Sequence, residues 1–149
     1  MKFSLNNIRT AFNKNNASNE SQDAEYLDKL MAPIEDKPFA VSNNNIMFAG
    51  MNELAGYYYF RTVIVGKFKI KTFKGAEIII TCKNFEMTLK SNMDELNSDF
   101  GEVPNSFITA IDFDIEKKQI EKLNKSKIQS LRVISKKQDV TFKTAESKS

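Results

Sequence analysis

The sequence predicts a mainly β fold of the β-rich α+β kind. It reads as an antiparallel meander built into a strongly curved sheet or a sandwich. Three observations carry this. Residues 57–65, with Tyr57, Tyr58, Tyr59 and Phe60 at their head, are almost all β-branched or aromatic, the side chains that fit a pleated, half-buried surface. Residues 67–72 and 85–90 alternate strictly between an apolar or small side chain and a charged or polar one, the period of a sheet with one wet face. The turn pairs Lys74-Gly75 and Lys83-Asn84 leave connections too short for anything but antiparallel neighbours.

Taken in order, residues 1–22 form a flexible tail, rich in Asn, Ser and Lys, with residues 13–21 almost wholly polar. Residues 23–34 give the first helix. Tyr26, Leu27, Leu30, Met31 and Ile34 recur at three- and four-residue spacing and make one apolar stripe. Ser21 or Asp23 caps its start, and Pro33 and Pro38 end it. This helix is expected to rest across the sheet or on an open end.

Residues 39–41 make a short strand and residues 42–45 a turn. Residues 46–54 are apolar but carry Gly50 and Asn52, so periodicity leaves their type open. Ala55-Gly56 separates them from the strand over 57–65. After that strand, Gly66 marks a bulge or bend. Residues 67–72, 76–82 and 85–90 then run as strand, turn, strand, turn, strand. Ile78, Ile79 and Ile80 make the middle one apolar on both faces and therefore central.

Residues 91–105 read as a loop with a helical turn at 93–96. Residues 106–115 resume as a strand, with Thr109, Ile111, Phe113 and Ile115 on one face and Asp112 and Asp114 on the other. Residues 116–124 are a short helix, with Ile120 and Leu123 inward and Asn124 at its end. Residues 127–135 and 140–143 are the last strands, and residues 145–149 are loose. The link from Ile115 to Lys127 is long enough for a crossover and so allows one parallel pair. About six to eight strands are expected in a single domain over residues 23–144.

Composition narrows function mainly by exclusion. The chain of 149 residues has no histidine and one cysteine. The commonest general base, the usual metal ligand and every His/Cys zinc motif are therefore missing. Cys82 cannot pair within the chain, and its apolar run argues for a buried, inert thiol. The five glycines are too scattered for a phosphate-cradling loop. Asp112, Asp114 and Glu116 are close enough in sequence to suggest a carboxylate cation site, but a calcium loop needs more oxygens than they offer. No cofactor is indicated. No apolar run approaches the span of a bilayer, no secretory signal opens the chain, and a cytoplasmic location is expected.

Two surface features remain. Lys67, Lys69 and Lys71 line one strand face, with Lys74 at its end and Arg61, Tyr57 and Tyr59 on the same parity. Lysines beside aromatics on a sheet suit single-stranded nucleic acid or an anionic membrane. Lysines on an exposed strand also guard against edge-to-edge association. Tyr57 and Tyr59 separately suggest a protein interface. The leading expectation is a non-enzymatic binding or structural module with a protein partner or a second copy of itself. Anion binding through the lysine face is the alternative, and a small-ligand pocket inside a curved sheet the third reading.

Overall fold

A computed structural model describes residues 17–32 and 37–144. Helix α1 spans Ala17–Met31. Eleven strands and one further helix come after it: β1 (Ala40–Val41), β2 (Asn45–Leu54), β3 (Tyr57–Gly66), β4 (Lys71–Thr72), β5 (Glu77–Cys82), β6 (Glu86–Lys90), β7 (Leu96–Asn97), β8 (Asp99–Phe100), β9 (Phe107–Asp114), α2 (Lys117–Asn124), β10 (Ile128–Ser135) and β11 (Gln138–Lys143). Nine strands form one antiparallel sheet in the order β6-β5-β10-β11-β1-β2-β3-β9-β8, while β4 and β7 make a separate pair.

The sheet curls into a half-barrel rather than facing a second sheet as a sandwich. It bends far enough that the chain just past β6 reaches β9, where Ser91 bridges Phe113 and the Asn92 N–H donates to the Asp112 carbonyl at 2.8 Å. Alternation drives the curl. In β3, β5 and β9 every second residue faces the concave side, among them Ile64, Ile78, Ile80, Ile111 and Phe113, none more than 1% exposed. Phe68 and Phe142 join them in one continuous cluster. Large side chains thus fill the curl from several strands, and its interior is packed rather than hollow. Leu123 of α2 belongs to the same core.

α1 lies on the convex side. Leu27 and Leu30 are buried against Val41, Ile46, Phe48 and Val65. Burial of each leucine contributes about 1.5–3 kcal/mol. The helix starts six residues before the expected Asp23, so the polar stretch 17–21, read as linker, is its first turns. The expected end at Pro33 and Ile34, the remainder of the tail (residues 1–16) and the loose residues 145–149 lie outside the described residues.

The meander over residues 67–90 is corrected in its first strand. Residues 67–72 keep the predicted alternation, with Phe68, Ile70 and Thr72 buried and the lysines exposed, but they do not join the main sheet. The chain leaves it at Gly66 (φ 151°). A Cβ there would collide with the Asn44 carbonyl and the Asn45 side chain. The departing backbone is then bonded to side chains instead of a neighbouring strand. The Phe68 N–H donates to Asn45 Oδ1 at 2.7 Å and the Ile70 N–H to Ser98 Oγ at 2.9 Å. β5 is central as expected, but between β6 and β10.

Other differences are local. Residues 46–54 are strand. The helical turn at 93–96 is absent, and β7 and β8 occupy that loop. Glu116 caps α2 at its start, and Lys125 caps its end in place of Asn124. Every strand pair among the described residues is antiparallel, so α2 makes its connection without creating a parallel crossover. The described helices include none long and apolar enough to cross a membrane.

Candidate functional site

The lysine row is real as an exposed line but is not one uniform basic face. Lys67 Nζ lies 5.0 Å from the centre of the Tyr26 ring on α1, and Lys69 Nζ lies 5.0 Å from that of Phe107. Both ammoniums therefore lie over aromatic rings, a favourable cation–π arrangement. Lys71 is exposed on β4, and Lys74 turns away to a cleft beyond it. Arg61 shares the convex face of β3 with Tyr57 and Tyr59 but is neutralised. Its Nε and Nη2 donate to the two Asp112 carboxylate oxygens at 2.8 and 3.0 Å.

That pairing also removes Asp112 from any cation site. Asp114 accepts from Asn92 Nδ2 at 3.0 Å, and Glu116 caps α2. Among the described residues no three His, Cys, Asp or Glu side chains converge on a metal-sized space. Cys82 is buried at the end of β5. Burial pushes its thiol up, with Lys122 pulling weakly the other way. A thiol held in its neutral form is a poor nucleophile.

The cleft that receives Lys74 has a volume of about 460 Å³. Lys74, Lys90 and Lys136 enter it from three separate elements, together with Glu77 and Asp94. None of these three ammoniums makes an ion pair with a described residue. Gly75 shapes the floor at φ 73°, and its N–H donates to the Asp94 carbonyl. Lys90 and Lys136 are far from the row in sequence, so strand alternation alone could not associate them with Lys74.

The second feature is the far end of the β2–β3 hairpin. Ala55 and Gly56 form a two-residue turn with φ of 53° and 83°, both left-handed. This turn type matches the natural twist of a hairpin. It sets Leu54 opposite Tyr57, Asn52 opposite Tyr59 and Gly50 opposite Arg61. Leu54 and Tyr57 are 65% and 68% exposed, and Met51 is 41% exposed. Tyr59 is half-buried on the same face as Leu54 and Tyr57, whereas Met51, paired with the buried Phe60, is on the opposite face. Among the described residues the ladder of β3 with β9 ends at Tyr59, with one further bond from the Ile115 N–H to the Tyr58 carbonyl, and that of β2 with β1 ends at Met47, so the turn stands beyond both neighbours.

Of the residues singled out in the sequence, the structure thus brings Tyr57 and Tyr59 onto one surface and disperses the lysines. Sequence reasoning missed Leu54 and Met51. The signal was present in Ala55-Gly56, two residues between two apolar runs, which is the spacing of a tight hairpin. Comparison with known protein families, curated proteins and solved structures found no match.

Proposed function

We propose that this chain is a non-enzymatic binding module that acts through a protein–protein surface at the tip of the β2–β3 hairpin. The observation that carries the reading is the Leu54–Tyr57 cross-strand pair, held out beyond the rest of the sheet with most of its area in water. Large apolar side chains grouped at a protruding tip are costly to hydrate and mark interaction sites. Tyrosine suits such a site because its ring buries area while its hydroxyl stays solvated. The hairpin is also rigidly made, with ten consecutive register pairs from Asn45–Gly66 to Leu54–Tyr57. A preformed surface loses little entropy when it docks.

The test uses the immobilised chain and the Leu54→Asp/Tyr57→Asp variant, alongside light scattering of both. The expected result is a defined partner or oligomer with the native chain that is lost with the variant. A monodisperse monomer that retains nothing contradicts the reading.

A second reading is favoured by one separate observation. Lys74, Lys90 and Lys136 line the 460 Å³ cleft beside Glu77 and Asp94, and none of the three lysines makes an ion pair with a described residue. This reading assigns the cleft to an anionic group. Binding of phosphate or a single-stranded oligonucleotide should weaken steeply with salt and vanish when all three are changed to Glu. Salt-independent binding rules it out.

A further inference from the structure

We propose that the open edge of β2 pairs with the same edge of a second copy of this chain, antiparallel about a two-fold axis at Asn52. This rests on the reading of the hairpin as a protein-binding surface and names its occupant.

The backbone pattern says which groups are free. The Ser42 N–H donates to the Asn45 carbonyl at 2.9 Å and the Phe39 N–H to the Met47 carbonyl at 2.7 Å. Odd-numbered residues of β2 therefore face the β1 side. The two-residue turn agrees, because it makes Leu54 and Tyr57 a hydrogen-bonded pair and so points even-numbered residues at β3. No described strand lies beside β2 past Met47 on the β1 side. The N–H and C=O of Met51 and of Glu53 consequently lie along an edge that no described strand pairs, and Gly50, Met51, Glu53 and Leu54 are exposed.

This edge carries one charged guard, Glu53. Residues 50–54 contain no proline and no lysine, and the β2–β3 register runs through them without a bulge. Edges of that kind recruit another strand.

The sequence is complementary to itself in one register. With Asn52 opposite Asn52 of the second copy, Met51 faces Glu53 and each pair exchanges both backbone bonds. Four N–H···O=C bonds result, two on either side of the axis. Leu54 falls opposite Gly50, where a Cβ would meet nothing within 4 Å. That empty position accepts the leucine side chain, with Tyr57 packed behind it. Moving the axis one residue to Glu53 would set two carboxylates face to face, which is destabilising. The apolar tip and a five-residue edge make a small interface, under about 1,200 Å² in total, so the dimer is a weak one.

Sedimentation equilibrium over a concentration series up to several hundred micromolar tests this with three variants. Glu53→Pro removes an edge N–H that faces away from β3, and proline is tolerated on edge strands. Leu54→Asp removes the apolar contact. Asn52→Asp puts two carboxylates on the axis. The native chain is expected to rise from 17.0 kDa towards twice that mass. Glu53→Pro and Leu54→Asp should weaken the dimer at least about tenfold. Asn52→Asp should weaken it at neutral pH and restore it once the carboxylates are protonated. Unchanged circular dichroism establishes that each variant is folded. A monomer at every concentration, or a dimer indifferent to all three changes, overturns the proposal. A monomer that binds a different protein through Leu54 overturns self-pairing and leaves the hairpin reading standing, whereas a monomer that binds nothing overturns both.

Discussion

Cys82 shows how far a single side chain can be read from its neighbours. Its apolar run marked it as buried, and it is 3% exposed. Burial raises the thiol's pKa in the folded chain. That contribution to stability is whole below the unfolded thiol's value, about 8.5, and is lost as pH rises through the folded value. We expect a thiol reagent to react with Cys82 only as fast as the chain opens, and Cys82→Ala to flatten the loss of stability above that pH. Rapid labelling of the native chain at neutral pH contradicts this. The exposed pair Arg132–Asp139, at 2.7 and 2.6 Å, works in the opposite sense. Its hydrogen bond holds the Asp139 carboxyl below its ordinary range, so its contribution is present above the usual carboxylate pKa and lost as pH falls through the folded value. With both side chains about half exposed, at 48% and 49%, that contribution is small, and Asp139→Asn should leave the melting temperature nearly unchanged. The lysines were legible only as exposed. Which of them met an aromatic ring or a cleft depended on Tyr26, Phe107 and Lys136, all distant in sequence.

At the scale of elements, alternation and turn residues located most strands within a residue or two. They did not show which strands pair. Residues 67–72 carry a strand's side-chain pattern because Phe68 and Ile70 enter the core, yet their backbone partners are the Asn45 and Ser98 side chains. No local pattern distinguishes such a segment from a sheet member. Gly66 is the hinge of that departure. Gly66→Ala should cost more than about 1 kcal/mol in chemical denaturation, whereas Gly50→Ala, with open space at its Cβ, should change stability little. Helix α1 was placed by its stripe but begun too late, because polar residues at a helix start look like linker. Leu30→Ala should destabilise by about 2–5 kcal/mol if α1 is a fixed part of the domain. A change under half of the lower figure would mean that the helix is only loosely docked.

For the whole molecule, the curl decides what function is available. A sheet that bends until Ser91 meets Phe113 commits its concave face to packing, which leaves the convex face, the rims and the hairpin tip to meet other molecules. The sequence-level choice between sandwich and curved sheet could not be made from periodicity, since both hide alternate residues equally well. The residues of the proposed surface were half legible. Tyr57 and Tyr59 stood out by type, but the edge of β2 that no described strand covers follows from β1 being only two residues long, a matter of pairing and not of composition. Amide hydrogen exchange at Met51 and Glu53, measured across a dilution series, tests the pairing of β2 edges most directly. Both amides should exchange more slowly as concentration rises, while Asn52, whose N–H is turned to β3, stays constant. Exchange at Met51 and Glu53 that is fast and independent of concentration would contradict it.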